Sequence, residues 1–253
     1  MITDILLFLV GILVGVMNAI AGGGGLVAFP ALMAVGLPAL TADATNFVAI
    51  LPGQLSSAFG YRKYLRKVPR LYLLLLIPCA LGAAVGAHLL KHTSIVGFEK
   101  IVPFLVLTAV IIFAVQPLLH IHLIKHIRSR NKNIWKFIAM AVALFAMTIY
   151  GGYFGVGFGF VVLALLSFAN LKEIHSMNGM KNIASATSVT VAIISLQGTG
   201  FINWHFGLVI AAGNIIGGYG GSRFAQRVPS RILRVIVIVI GLVSAGYIAF
   251  RYH

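Results

Sequence analysis

GVMNAIAGGGGLVAFPAL, residues 15–32, is the stretch whose reading decides the fold. Four consecutive glycines, Gly22, Gly23, Gly24 and Gly25, interrupt an apolar run that otherwise suits a helix. Each costs a helix interior about 1 kcal/mol relative to alanine, so the helix is expected to unwind there. A second interruption, GGYFGVGFGF at 151–160, stands 136 residues further on. That offset pairs Gly15 with Gly151, Gly23 with Gly159, Asn46 with Asn182, Gly82 with Gly218 and Ser94 with Ser230, without a gap. Apolar segments broken at corresponding points of two halves are the sequence mark of a secondary-transporter substrate site.

The chain around these breaks is 60% hydrophobic and only 9% charged, which excludes a soluble domain. Residues 71–90, 101–119 and 235–250 carry no acidic or basic side chain. Each run approaches the roughly 20 residues that a helix needs to cross a bilayer core. Backbone in lipid must satisfy its own hydrogen bonds, which selects a helix bundle over an open sheet. The runs lack the alternation of a barrel strand. An all-α integral membrane protein follows.

A net charge of +15 invites a nucleic-acid reading, but the 19 basic residues fall in short clusters between apolar spans. Nucleic-acid binding needs a contiguous basic face. Such clusters instead hold loops on the cytoplasmic side. Cys79 lies within a span and reads as packing. No Lys or Arg precedes Arg62, so the first segment lacks the basic start of a signal peptide and is read as mature structure.

The expected organisation is an N-terminal repeat, 1–120, with a broken segment at 4–36 and spans at 41–60, 71–90 and 101–119. A cytoplasmic basic linker, 121–136, follows. The C-terminal repeat, 137–253, has a broken segment at 137–170 and spans at 182–199, 206–222 and 235–250. Each repeat thus opens with a glycine-broken, re-entrant-like helix pair, giving about eight transmembrane segments. Residue identity between the halves is no better than chance, but charge distinguishes them. Arg62, Lys63, Arg66, Lys67 and Arg70 follow the first unbroken span, whereas 198–206 has no Lys or Arg. One loop later the bias reverses: 91–100 offsets Lys91 and Lys100 with Glu99, while its counterpart holds Arg223, Arg227, Arg231 and Arg234. Corresponding loops on opposite sides are the pattern of an inverted-topology repeat. Loops 61–70, 121–136 and 223–234 then lie in the cytoplasm, 91–100 and 200–205 outside, and both termini outside a plasma (inner) membrane.

Unwound backbone at membrane depth is tolerated where protein or a watery cavity lines it. For Gly11/Gly15 and Gly82/Gly86, small-xxx-small spacing makes close helix packing the better reading. At the two breaks so many glycines together point to a site. Half-helices beginning near Leu26 and Phe160 would aim free N–H groups and positive dipole ends at the break, which favours an anion. The candidate substrate-binding residues are Asn18, Gly22, Gly23, Gly24, Gly25, Thr45, Asn46, Gln54, Gly155, Gly157, Gly159, Lys181, Asn182 and Ser185. Thr45 aligns with Lys181, a hydroxyl in one half where the other has a cation. Lys181 reads equally as a residue snorkelling to the cytoplasmic surface or as an anion-attracting gate. Asp4, Asp43, Glu99 and Glu173 all fall near span ends, so no intramembrane carboxylate relay is expected. His120, His122 and His126 sit in the basic linker and read as interfacial rather than metal-binding. No nucleophile has a suitably placed base, so an enzyme is a poor reading, and neither metal nor cofactor is expected.

At the breaks the chain resembles the sulfite exporter TauE/SafE family, also called the toluene sulfonate uptake permease group. The resemblance rests on residues 15–32, Ala42 to Asn46, 151–159, Lys181-Asn182, and Gly213, Gly217, Gly218, Gly221 and Arg227. It implies a plasma-membrane protein of about eight spans that moves sulfite, a sulfonate or another organosulfonate. The second break has phenylalanines where the first has unbroken glycine, so the two sites are unequal. The combined expectation is a secondary transporter of a small sulfur-containing oxyanion, working by alternating access. An inside-negative potential, worth about 2.3 kcal/mol per charge per 100 mV, leans it towards efflux. The alternatives are an anion channel using the same breaks and a non-transporting membrane scaffold or sensor. The expected partners are that small anion and the lipid bilayer, with homo-oligomerisation compatible but not specified.

Overall fold

A computed structural model of the chain describes residues 1–20, 22–126, 134–166 and 173–225. Its described residues form helices and connecting turns, with no strand among them. The first glycine cluster separates α1, Ile2–Ile20, from α2, Gly25–Ala34. A turn leads into α3, Ala39–Gly60, and the short α4, Arg62–Leu65. A 3-10 turn at Arg70–Leu75 runs straight into α5, Leu76–Lys91, and then comes α6, Ile95–His126. The second cluster separates α7, Ile134–Tyr153, from α8, Phe158–Leu166. The described chain ends with α9, Ile174–Leu196, and α10, Trp204–Phe224.

Both breaks therefore exist, and each divides a long helix from a short one. At 1.5 Å per residue α1 and α7 are roughly 28–30 Å long, whereas α2 and α8 reach only about 14–15 Å. The long helices match a bilayer core; the short ones cover half of it. Gly22 and Gly157 take φ of +100° and +78°, a conformation open to glycine and strained for other residues.

Helix packing follows the small residues. Helix α1 lies chiefly on α10, α10 also on α3, and α5 on α7. On the first seam Gly11 faces the Ile210 carbonyl, while Gly213 and Gly217 face the carbonyls of Phe8 and Ile12. On the second, Gly86 faces the Ile149 carbonyl and Gly152 that of Ala83. No side chain separates these backbones, which is the close approach that small-xxx-small spacing allows. Outside the bundle, Leu6, Leu9, Leu81, Phe104 and Leu107 stand exposed, an apolar exterior suited to lipid tails rather than water. At one end of the bundle Lys67 pairs with Glu173 at 3.0 Å and Ser176 donates to the Tyr64 carbonyl, tying α4 to the start of α9. Beside the N-terminus, Asp4 accepts from His205 at 2.9 Å, tying α1 to α10.

Two boundaries differ from the sequence reading. Helix α6 is longer than the apolar run 101–119. Helix α9 starts eight residues before position 182, because Ser176, Met177, Asn178 and Lys181 are buried by packing despite the polarity of that turn. Hydropathy alone ends a span at such a turn. The expected span 235–250, Ser230, and the basic residues Arg227, Arg231, Arg234, Arg128, Arg130 and Lys132 lie outside the described residues. So does the C-terminus.

Candidate functional site

The two breaks meet. A side chain on Gly22 would strike the backbone of Gly159 at 2.8 Å, and one on Gly159 would strike the Gly22 carbonyl oxygen at 2.7 Å. Gly25 lies against Val156 and the amide of Asn46, and Gly155 against the ring of Phe47. Residues 22–25 and 154–160 are all buried. The amino ends of α2 and α8 thus converge on one enclosed region. Each carries a partial positive charge from its aligned peptide dipoles.

Asn18, in the last turn of α1, organises the first break. Its Oδ1 accepts from the Gly24 N–H at 2.8 Å, its backbone carbonyl accepts from Lys181 Nζ at 2.7 Å, and its Nδ2 has no partner. Lys181 is 0% exposed, so it does not snorkel to the surface. Its bond to a neutral carbonyl uses one of three ammonium donors, and no carboxylate pairs with it among the described residues. A buried cation without a counter-ion is costly, and such groups in membrane proteins mark substrate or ion pathways.

Helices α3 and α9 also carry several unpartnered buried polar atoms. Asn46 leaves both Oδ1 and Nδ2 unsatisfied, Gln54 leaves Oε1, Asn182 leaves Oδ1 and Ser185 leaves Oγ. Native interiors leave few such groups, and each calls for a ligand, a water or a second conformation. The structure joins Asn18, Gly22, Gly24, Gly25, Asn46, Gly155, Gly159 and Lys181 through the contacts above. Gly23 and Gly157 complete the two turns, Gly23 against the Phe160 ring and Gly157 against Ala109. Asn182 turns towards α3 and donates to Ser57 Oγ at 2.6 Å. Thr45 is already engaged: its hydroxyl accepts from the Asn203 N–H at 2.9 Å, in the turn before α10. It is not the unoccupied counterpart of Lys181 that alignment suggests.

Asp43 lies near the start of α3, as its place in the sequence suggests, yet it is 0% exposed, and its Oδ1 accepts from the Gly155 N–H at 3.2 Å. The second break folds over the first turns of α3 and buries them, a contact that links residues 112 apart in sequence. Sequence reasoning also passed over Asn214 on α10. Its Nδ2 donates to the Ala49 carbonyl at 2.8 Å while its Oδ1 has no partner. The signal for Asn214 was a lone polar residue inside an apolar run. Tyr150, beside the second break, donates its hydroxyl towards the carbonyls of Val156 and Leu105. Among the described residues no cluster of His, Cys, Asp or Glu is suited to a metal. The side chains of His120, His122 and His126 lie outside that description.

A buried lysine, two half-helix amino ends and several unpartnered buried amides thus lie within an apolar-coated bundle. The family profile described as "Sulfite exporter TauE/SafE" matches residues 7–248. The chain belongs to the sulfite exporter TauE/SafE family. It is similar to a "Probable membrane transporter protein" of Haemophilus influenzae, 29% identical over 97% of this chain and 94% of that protein. It is also similar to the "Probable membrane transporter protein YfcA" of Escherichia coli, 26% identical over 98% and 90% respectively. A third relative, the "Probable membrane transporter protein YdhB" of Bacillus subtilis, is 23% identical over 99% of this chain and the whole of that protein. No solved structure matches the chain. TauE/SafE membership makes it a multi-pass membrane protein of a transporter family, not of an enzyme family.

Proposed function

We propose that this TauE/SafE protein is a secondary transporter that carries a small sulfur-containing oxyanion, sulfite or an organosulfonate, out of the cell across the inner membrane. The observation that carries this reading is Lys181, a fully buried ammonium beside the Asn18 end of the first break, with no carboxylate partner among the described residues. Asn18, Gly22–Gly25, Asn46, Gly155–Gly159 and Asn182 line the anion site, with Gln54 and Ser185 supplying further polar atoms. Thr45 shapes it indirectly, by holding the turn before α10. An oxyanion offers several acceptor oxygens, and the unpartnered Nδ2 groups of Asn18 and Asn46 are donors in search of them.

The architecture we infer is two inverted repeats, 1–120 and 137–253, joined by the cytoplasmic linker 121–136, with about eight spans and both termini outside. Helix positions support it: α3 shifted by 136 gives 175–196, against Ile174–Leu196 for α9. Packing supports it too. In such a repeat α7 corresponds to α1 and α10 to α5, and the principal seams are α1 on α10 and α7 on α5, each the image of the other. The enclosed site between them suits an occluded state of alternating access, in which rocking of one repeat against the other opens it to either side.

Saturable, protein-dependent flux of radiolabelled sulfite into proteoliposomes, accelerated by sulfite on the opposite side, is the expected result. Absence of flux for sulfite and for a set of sulfonates would overturn the reading, and large single-channel currents would replace it with a channel.

A further inference from the structure

Asp43 is a buried acid that anion binding alone does not require. It is fully buried, its Oδ1 accepts one backbone N–H from Gly155 in the second break, and its Oδ2 has no partner. The second oxygen is a buried polar atom without a partner, which calls for a proton, a water or another group. An acidic side chain inside a membrane bundle marks a proton or ion path by default. We propose that Asp43 is the coupling-proton site of the transport cycle: its carboxyl takes up one proton at Oδ2 when the anion occupies the breaks beside Lys181. The inference rests on the anion-transport reading and adds the coupling ion to it.

Charge balance carries the argument. Asp43 and Lys181 are both buried in the bundle without pairing with each other, so in their ionised forms with the site empty they would offset one another's charge only at a distance. An entering monoanion leaves one net negative charge away from water, where electrostatic energies are least screened. A proton from the water on the open side then forms an O–H bond at Oδ2 and restores neutrality. When the site opens to the other side the anion leaves, that O–H bond breaks, and the proton departs with it. No electrons move and no further reactant is needed. Anion and proton therefore travel in the same direction. The opposite coupling would put a proton on Asp43 while the site is empty, stranding an uncompensated Lys181 ammonium in the core.

Among the elements packed around α3 few groups compete for this role. Helices α2 and α8 carry no titratable side chain, and Asp43 is the lone one on α3. On α10, His205 is committed to Asp4, and Arg223 lies over Tyr219. Asp4 stands at the outer end of α1, and Glu99 and Lys100 at the first turns of α6. On α9, His175 stacks with Tyr61 and Tyr64. Among the described residues Lys181 and Tyr150 lie beside the breaks, one bonded to the Asn18 carbonyl and the other donating to the carbonyls of Val156 and Leu105. Coupling also refines direction. A sulfite dianion carried with one proton still moves one charge outward with the potential, whereas a monoanionic sulfonate moves electroneutrally, so for sulfonates the potential gives no bias to export and the proton and sulfonate gradients set the direction.

The test uses the full-length protein in proteoliposomes, with the membrane potential clamped at zero, radiolabelled sulfite as probe and protein-free vesicles subtracted. An inward proton gradient should make the wild type accumulate sulfite severalfold. Asp43→Asn should lose that accumulation while measurable sulfite exchange persists at equal pH. Equal gradient-driven accumulation by Asp43→Asn and wild type would overturn the proposal and leave the transport reading standing. Complete absence of wild-type flux would overturn both. Infrared difference spectroscopy of the wild type needs no variant to fold. With four acidic residues in the chain, a protonated-carboxyl band that appears on sulfite addition is readily assigned, and its absence would overturn the proposal.

Discussion

Lys181 Nζ lies 2.7 Å from the backbone carbonyl of Asn18, so an ammonium on α9 closes the last turn of α1, 163 residues away in sequence. A cation at a helix carboxyl end is electrostatically favourable, and that accounts for one of its three donors. The remaining donors, beside unpartnered amides, are the basis for treating Lys181 as the anion's anchor.

Replacing that ammonium separates anchoring from packing. Lys181→Met should reduce sulfite flux at least roughly 100-fold, the factor that follows from losing about 3 kcal/mol of charge-assisted hydrogen bonding. Its folded stability should hold or rise by about 1–4 kcal/mol, because an apolar side chain of similar size replaces a buried charge. Flux in proteoliposomes and thermal unfolding in detergent read the two effects independently. A variant that loses stability and keeps its flux would reverse the assignment.

The first break depends on backbone conformation as well as space. Gly22 has φ +100° and would press any side chain against Gly159, whereas Gly36 has φ +97° with open space around it. Gly36→Ala should cost about 1 kcal/mol and retain transport. Gly22→Ala adds the collision to that strain and should cost more, with flux lost even where folded protein is recovered. Thermal unfolding of the pair, alongside flux, checks the contrast.

Helix α10 offers a similar comparison. Gly217 meets the Ile12 carbonyl on α1, while Gly220 faces open space one turn away. Gly217→Leu should force the α1–α10 seam apart and destabilise the protein by about 1–3 kcal/mol or more. Gly220→Ala should be neutral or stabilising by up to about 1 kcal/mol, through helix propensity. Unfolding midpoints in detergent distinguish them.

Topology is open to labelling, because Cys79, the one cysteine, is fully buried and should resist maleimide in the folded protein. Single replacements Lys67→Cys and Gly200→Cys sit in exposed loops before α5 and α10. An impermeant maleimide applied outside intact cells should label Gly200→Cys and spare Lys67→Cys. The reverse pattern, or labelling of both, would contradict the inverted arrangement.

The glycine clusters were legible in the sequence because their effect is local: helix propensity predicts unwinding at Gly22–Gly25 wherever that segment packs. Small-residue spacing at Gly11/Gly15 and Gly82/Gly86 was legible for the same reason. What sequence could not supply was contact across the chain. Nothing in residues 15–32 says that Gly22 will lie against Gly159, and nothing around Asp43 says that Gly155 will fold over it. Lys181 stayed ambiguous because hydropathy places a lysine at a span's edge, while packing of α9 from Ile174 puts it inside. Thr45 misled by alignment: matched position did not bring matched contacts, since its hydroxyl holds the Asn203 turn.

Equilibrium binding of radiolabelled sulfite to the purified protein, wild type beside Lys181→Met, tests most directly whether the joined breaks form an anion site. The account predicts one saturable site per chain in the wild type, competed by organosulfonates, with affinity reduced at least roughly 100-fold in the variant. Undiminished binding by Lys181→Met would contradict it.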